Sequence, residues 1–239
     1  LATKWEQIDD LHWQFTLRDD VYFTNGEKLT ANDVIASLQA SYDYTLNHYT
    51  LWLDPAECEG VDDTTVIIGL SRIYNNLPEI LGCTYYAIFS AKAFEEVGND
   101  ETVFAVNPVG SGPYKFVQWN KQEQLILEAN EDYYGKVPAI RKVTIVFQDE
   151  DAALAAVRAG QADIALTAAT LATAQVAGYT VKAVTSVDNR GLTLPVEPDT
   201  GKTTESGYPI GNNVTCNLEL RQAIAYAIDR QQVAKAALN

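Results

Sequence analysis

The 239-residue sequence predicts an α/β fold, and two patterns support that prediction. Trp13, Phe15 and Leu17 alternate with polar residues, which is the period of a half-buried strand. Apolar residues between Leu220 and Ile228 instead recur three and four positions apart, on one face of a helix. Predicted strands and helices alternate through the second half of the chain, as they do in α/β domains.

Local signals delimit the other elements of the first half. Thr30 and Asp33 resemble a capping box, with Asp in place of the usual Glu, and predict that a helix follows. The β-branched run over residues 64–70 predicts a strand. Short helices are predicted over residues 76–81 and 90–97.

The second half is predicted to open with a hairpin, in which strands over residues 114–119 and 125–127 flank a turn. Acidic residues in the first turn and a glycine at the end predict a helix over residues 149–159. Asn217 is predicted to cap the last clear helix. Four further strands are predicted, over residues 141–147, 163–166, 181–185 and 191–196.

Charge and composition exclude several classes of function. The 17 basic and 32 acidic residues give a net charge of −15, which repels phosphate backbones and anionic lipid, so we expect no nucleic-acid partner. The three cysteines and two histidines fit no metal-ligand spacing, and we expect neither a metal site nor a cofactor. A Cys58–Cys83 disulfide stays open beside the favoured interpretation of three buried thiols.

The acidic charge is concentrated in the first part of the chain. Residues 1–106 carry 5 basic and 18 acidic side chains, whereas residues 107–239 carry 12 and 14. This asymmetry predicts two modules with these bounds, joined at the Gly- and Pro-rich stretch 107–113. Gly110 and Gly112 are expected to allow a tight crossing between the modules.

No pattern singles out a catalytic residue. Ser111 stands between two glycines, but its loop leads into a strand and not into the helix that follows a nucleophile elbow. The acidic run at residues 149–151 lacks the ligand spacing of an EF-hand and is interpreted as a helix N-terminus. We therefore expect no enzymatic activity, and a hydrolase is the less favoured alternative.

Two segments are candidates for ligand contact. Tyr85 and Tyr86 combine apolar rings with polar tips, and a role in a cleft is weighed evenly against a role in the core. Asn189 and Arg190 lie in a polar break between two predicted strands, where α/β sheets often place a ligand cleft. A solvated loop is an equally compatible interpretation of that break.

Three separated segments share one resemblance. The first contains WQFTLR, NG and LTANDV within residues 13–34, the second contains PVGSGPYKF, NEDYYG and RAGQADI within 108–164, and the third is LRQAIAYAIDR at 220–230. In this order and spacing they resemble the extracellular solute-binding proteins of the oligopeptide, dipeptide and nickel ABC importers, solute-binding protein family 5. The resemblance covers essentially the whole chain. Within the second segment, the resemblance implies a structural motif formed by Gly110, Gly112, Pro113 and Tyr114.

The resemblance implies a type II periplasmic-binding-protein fold, with a mixed sheet, flanking helices and an inserted α+β subdomain. Residues 1–106 are similar to the inserted subdomain of the first lobe, and residues 107–239 are similar to the central part of that lobe. The chain is therefore expected to be a fragment of a larger two-lobed protein, without the second lobe. Because such proteins enclose ligand between both lobes, weak or absent binding by these residues alone is expected.

The implied function is that of the extracytoplasmic substrate-binding component of an ABC importer. It captures a short peptide or a nickel complex and delivers it to a membrane permease. The resemblance further implies a monomer, located in the periplasm or held at the cell surface as a lipoprotein of a Gram-positive organism. Residues 187–192 are similar to the nickel and dipeptide branch. In the nickel-chelate binders, however, an arginine stands near the position of Tyr85 and Tyr86, and the replacement of that arginine here argues against an anionic chelate. The alternative is the ligand-sensing domain of a regulatory protein with the same fold.

Overall fold

The chain forms two units of structure. The computed structural model describes residues 1–44, 52–167, 175–182, 191–204 and 207–238. Contacts within the chain divide it into Leu1–Phe147 and Gln148–Asn239. The predicted module boundary between residues 106 and 107 falls inside the first unit, and it stays a prediction.

The described part of the first unit contains two antiparallel sheets and four helices. The strands are β1 (Ala2–Gln7), β2 (His12–Leu17), β3 (Glu59–Gly60), β4 (Thr65–Gly69), β5 (Tyr114–Asn120), β6 (Gln124–Ala129) and β7 (Lys142–Val146). The helices are α1 (Ala31–Tyr44), α2 (Leu77–Ile80), α3 (Ala91–Glu96) and α4 (Glu101–Phe104). Short 3-10 turns lie at Pro55–Glu57 and Thr84–Tyr86.

The first sheet has the strand order β1-β2-β4-β3. Phe15 of β2 lies opposite Val66 of β4, and Trp13 lies opposite Ile68. All four side chains are buried, with Val66 fully inaccessible. The alternation at residues 13–17 and the β-branched run at 64–70 thus predicted two strands that the structure confirms, and these strands are neighbours.

Helix α1 begins where the capping signal predicted. The backbone N–H of Thr30 donates to Asp33 Oδ2 at 2.8 Å, and the Thr30 hydroxyl donates to the same oxygen at 3.1 Å. The shorter Asp side chain therefore fulfils the role of the Glu in a capping box. Its other oxygen, Oδ1, accepts the N–H of Ala91 at 2.9 Å, so Asp33 also ties the start of α1 to the start of α3.

The hydrophobic core of this unit lies between α1 and the first sheet. Burying one large aliphatic side chain stabilises a fold by about 1.5–3 kcal/mol, so this cluster is the main source of stability here. Its largest, most deeply buried members are Val21, Leu29, Leu38, Val66, Ile68 and Leu77.

The second sheet has the strand order β5-β6-β7. The predicted hairpin is confirmed, with Trp119 opposite Leu125 and Leu125 opposite Ile145. At its turn Gln122 has a left-handed φ of 65°. The backbone N–H of Glu123 closes the turn by donating to the carbonyl of Asn120 at 3.0 Å.

The second unit contains three helices in its described part: α5 (Glu150–Arg158), α6 (Leu218–Ala227) and α7 (Arg230–Leu238). Asp149 caps α5 by accepting the N–H of Ala152 at 2.8 Å, and Asn217 caps α6 by accepting the N–H of Leu220 at 2.9 Å. Both helix starts are as predicted. The acidic run at residues 149–151 is a helix N-terminus.

Two predicted strands of this unit are wrong. Residues 163–166 and 191–196 are irregular, as are residues 181–182, while 183–185 lie outside the described residues. A strand requires hydrogen bonds from a neighbouring strand, and no strand of the second unit's described part is there to supply them. The apolar side chains that suggested strands are consequently exposed, Ile164 by 86% and Leu192 by 70%.

The three cysteines are free thiols. Cys58 and Cys216 are partly buried, whereas Cys83 is exposed. The Cys58–Cys83 disulfide that the sequence left open is therefore not formed. The favoured expectation of three buried thiols is wrong, because Cys83 is exposed and the other two are only partly buried. Within the described ranges, no helix has the length and apolar content needed to cross a membrane.

Candidate functional site

The two candidate tyrosines occupy a single 3-10 turn, Thr84–Tyr86, but face different surroundings. Tyr86 is 6% exposed and belongs to the hydrophobic core, whereas Tyr85 is 48% exposed. A 3-10 helix has three residues per turn, so consecutive side chains point about 120° apart. Of the pair, Tyr85 is the residue with surface available to a ligand.

Tyr86 is held from inside the unit by Trp52. The indole Nε1 of Trp52 donates to Tyr86 Oη at 3.3 Å, and the two rings meet edge to face with centroids 5.4 Å apart. Burial raises the pKa of the Tyr86 hydroxyl above its ordinary value of 10.0, so the side chain stays neutral. The role of Tyr86 in these contacts is to support the turn that carries Tyr85.

Tyr85 borders an open cavity of about 260 Å³, which we call the aromatic pocket. Helix α1 forms one side, and the segment from the 3-10 turn to α4 forms the other. The lining residues are Ser37, Ala40, Ser41, Tyr44, Thr84, Tyr85, Ala87, Phe89, Phe94, Glu101, Phe104 and Ala105.

Three phenylalanines pack together in this pocket. The ring centroids of Phe89 and Phe94 lie 5.0 Å apart, those of Phe89 and Phe104 5.2 Å apart, and those of Phe94 and Phe104 5.3 Å apart. Such tilted and edge-to-face arrangements are favourable for aromatic rings. The sequence did not point to this cluster, because the three residues follow no helical or strand period.

The two serine hydroxyls in the wall, those of Ser37 and Ser41, are already engaged. Ser37 Oγ donates to the carbonyl of Asp33 at 2.7 Å and accepts the N–H of Phe89 at 3.0 Å. Ser41 Oγ donates to the carbonyl of Tyr85 at 3.0 Å. These bonds fasten the segment 85–89 to α1, and they fix the position of Tyr85 beside the pocket.

The Gly- and Pro-rich loop predicted as a structural motif is held by its neighbours. The N–H of Thr24 donates to the carbonyl of Gly110 at 2.8 Å, and Gly110 forms an antiparallel bridge with Phe89. Buried Asn130 donates through Nδ2 to the carbonyl of Gly112 at 3.0 Å, and its N–H donates to the carbonyl of Pro113 at 2.9 Å. The loop therefore connects the pocket wall to the second sheet.

The structure gives no steric reason for glycine at Gly110 or Gly112. Neither residue has a left-handed φ, and a Cβ at either position would meet no other atom within 4 Å. Tyr114 follows as the first residue of β5, and its hydroxyl donates to the carbonyl of Ile140 at 3.2 Å. Ser111 is buried, consistent with a structural position.

A second, polar cavity of about 420 Å³ lies around Arg18. The guanidinium donates to both carboxylate oxygens of Asp20, at 2.8 and 2.7 Å, and lies 5.1 Å from the ring centroid of Tyr134. Arg18 is thus already neutralised by a bidentate partner. An anion would have to compete with Asp20, so the aromatic pocket is the better candidate site.

The remaining predicted contacts lie elsewhere in the chain. Asn189 and Arg190 are outside the described residues. Among described residues, no group of three or more His, Cys, Asp and Glu side chains is arranged to hold a metal ion.

Comparison with known proteins identifies the family. The family model of bacterial extracellular solute-binding proteins, family 5 middle, matches residues 1–239. The chain belongs to this family. The family and its fold are those of binding proteins, and the mixed α/β architecture matches type II periplasmic binding proteins, as predicted.

Three proteins similar to this chain differ in their ligands or roles. NikZ from Campylobacter jejuni, in complex with Ni(L-His), matches 98% of this chain with a TM-score of 0.72 and 25% identity. DppA from Helicobacter pylori, in complex with the peptide STSA, matches 67% of the chain with a TM-score of 0.58 and 28% identity. The HTH-type transcriptional regulator SgrR of Escherichia coli K12 is 33% identical over 145 residues, 61% of the chain.

The chain spans only part of each relative's length. It covers 45% of NikZ, 36% of DppA and 24% of SgrR. These relatives thus include a protein in complex with a nickel compound, a protein in complex with a peptide and a transcriptional regulator.

Proposed function

We propose that the protein acts in the extracytoplasmic substrate-binding component of an ABC importer. It captures a short peptide, or a nickel complex, between two lobes and passes it to a membrane permease. The match of the family model to residues 1–239 is the observation that carries this proposal. The complexes of DppA with a peptide and of NikZ with Ni(L-His) support the two ligand classes.

In this proposal the two halves of the chain belong to different parts of the first lobe. Residues 1–106 form the inserted subdomain of the first lobe, and residues 107–239 form its central part. Ligand is contacted by Tyr85, with Tyr86 behind it, and by Asn189 and Arg190. The exposure of Tyr85 beside the aromatic pocket supports its place in this set.

The proposed function also implies an oligomeric state, a location and a partner. It works as a monomer outside the cytoplasm, in the periplasm or as a cell-surface lipoprotein, and its macromolecular partner is an ABC permease. It catalyses no reaction. The family's description as extracellular solute-binding proteins supports the location and the binding role.

The test is native mass spectrometry of the gene product that contains these residues, purified without added ligand. Extra mass that resolves into short peptides supports the peptide arm, and extra mass of a nickel chelate supports the nickel arm. The variant Tyr85→Ala is expected to lose the extra mass. Tyr22→Ala, at a tyrosine of similar exposure (45%) outside the pocket, is the matched control and is expected to keep it. Peptidase turnover that one point mutation abolishes would contradict a pure binding role.

A sensor function is the second candidate, and the similarity to the regulator SgrR favours it. In that case the same domain reports ligand to a DNA-binding or signalling module, and no permease is involved. Deleting the gene distinguishes the two. Loss of uptake of a labelled ligand supports the importer, whereas unchanged uptake with altered transcription supports the sensor.

A further inference from the structure

The walls of the aromatic pocket restrict what enters it. The two serine hydroxyls in the wall bond to the backbone of Asp33, Tyr85 and Phe89. Six of the twelve lining residues that the structure describes are Ala or Phe, so a polar ligand group placed among the phenylalanines would lose hydrogen bonds to water that these side chains do not replace. Because an unpaired buried polar group costs about 1–3 kcal/mol, an apolar group is favoured at that position.

The size of the pocket limits the inserted group further. Small-molecule sites that enclose a drug-sized ligand occupy about 300–1,000 Å³. The aromatic pocket, at about 260 Å³ and open to solvent, is smaller than that range. It suits one side chain or a ligand of similar size, and not a whole peptide.

The pocket is also held in shape before any ligand arrives. The hydroxyl of Tyr44 donates to the carbonyl of Asn99 at 2.6 Å, and the ring of Tyr44 meets Phe94 edge to face at 6.3 Å. The carbonyl of Tyr85 is bound to Ser41 on the same helix. Walls that are fixed in advance reduce the ordering cost of binding.

Among the lining residues that the structure describes, the charge is negative. Glu101, the first residue of α4, is the charged side chain among the described residues that line the pocket. Residues 1–106 as a whole carry 18 acidic and 5 basic side chains. A cationic group held at the opening is attracted by this field, and a carboxylate is repelled.

We propose that the aromatic pocket binds one aromatic or branched aliphatic group of a ligand whose nearby polar end is cationic, such as the ammonium group of a peptide or amine. This inference rests on the proposed binding function and specifies the chemistry of the ligand at Tyr85. It favours an amine-bearing ligand over an anionic chelate at this position.

The test uses three probes of the same shape and different charge: phenethylammonium, 2-phenylethanol and 3-phenylpropanoate. Each is titrated into the ¹⁵N-labelled 239-residue chain, and binding is followed by amide chemical shifts in NMR. Saturable shifts are expected at residues 85–89 and 101–105. The cation is expected to bind about three-fold tighter than the alcohol, as is usual for one exposed charge pair, and the carboxylate weakest.

Two pairs of variants assign the effect to the pocket. Glu101→Gln is expected to remove the preference for the cation, and Glu95→Gln, an exposed glutamate on α3 outside the lining, is expected to keep it. Ala105→Leu fills part of the pocket and is expected to weaken the binding of all three probes about four-fold, the loss that corresponds to one CH₂ group of the probe no longer being buried. Ala93→Leu, on α3 and outside the lining, is its control.

Equal or tighter binding of the carboxylate overturns the inference, as does the absence of saturable shifts or an Ala105→Leu variant with unchanged affinity. Failure of this inference can be distinguished from failure of the importer proposal. Probe binding by the chain, together with a gene product that carries no ligand, supports the pocket and contradicts the proposed function. Ligand in the gene product without probe binding overturns the pocket and supports that function.

Discussion

Replacing Asn130 tests most directly whether its side chain holds the Gly110–Pro113 loop in place. Its side chain is 1% exposed, donates to the carbonyl of Gly112 at 3.0 Å and accepts the N–H of Asp132 at 3.2 Å. In Asn130→Ala both bonds are lost, while the backbone bond to Pro113 at 2.9 Å remains. The variant therefore isolates the contribution of the amide side chain.

The expected loss follows from these two bonds. Each contributes about 0.5–1.5 kcal/mol net. We expect the loss of both to lower the free energy of unfolding by about 1–3 kcal/mol. For a chain of this length, that is a fall of roughly 2–12 °C in Tm.

Tryptophan fluorescence during thermal and urea unfolding is the assay. All four tryptophans of the chain, Trp5, Trp13, Trp52 and Trp119, lie in the first unit, so the signal reports on the unit that contains Asn130. A loss below about 0.5 kcal/mol, the range of ordinary surface substitutions, would show that the two bonds of Asn130 do not hold the loop.

Two further variants separate the bonds from the loss of volume. Asn120→Ala removes only an exposed acceptor of Gln118 Nε2 and is expected to stay within about 0.5 kcal/mol of the parent. Asn130→Asp keeps the volume and the acceptor for Asp132 but places a carboxylate oxygen against the carbonyl of Gly112. It is expected to destabilise as much as Asn130→Ala at neutral pH, whereas a cavity effect alone would leave it stable.

Two other predictions concern titratable groups. The hydrogen bond from His12 Nδ1 to Asp9 raises the pKa of His12 above 6.5, so the bond's contribution to stability is present below pH 6.5 and is lost as the pH rises through the raised pKa. His12→Gln should therefore lower Tm more at about pH 5.5 than at about pH 8.5. An equal loss of Tm at both pH values would contradict this expectation. Burial raises the pKa of the Cys58 thiol, whereas Cys83 is exposed, so Ellman's reagent should react first with Cys83. The fast phase of the Ellman reaction should vanish in Cys83→Ser and persist in Cys58→Ser.

Local sequence signals predicted those parts of the fold that depend on local physics. The capping roles of Asp33 and Asn217 are confirmed, because a cap involves residues two or three positions apart. The acidic start of the helix near Asp149 is confirmed for the same reason, although Asp149 itself proves to be the cap. The strand at residues 13–17 is confirmed because alternation is a property of one segment. The strands at 163–166 and 191–196 are wrong, because a strand also depends on a partner that no local pattern specifies.

The candidate site was predicted only in part for a related reason. Tyr85 stood out because two adjacent tyrosines are conspicuous in a sequence. The phenylalanines beside it did not, since Phe89, Phe94 and Phe104 meet through the packing of α3 and α4 and not through any period. Glu101 likewise acquires meaning only from the pocket it borders.

The division between Tyr85 and Tyr86 decides how mutations at this site have to be interpreted. Tyr86 accepts the Trp52 indole N–H inside the core, so its replacement lowers stability and displaces the turn that carries Tyr85. A change in ligand binding on replacing Tyr86 is therefore no evidence of contact. Replacing Tyr85 at 48% exposure removes surface from the pocket while leaving the Trp52–Tyr86 pair in place. Contact between the ligand and Tyr85 is therefore identified only when Tyr85→Ala loses ligand binding and keeps the stability of the parent chain.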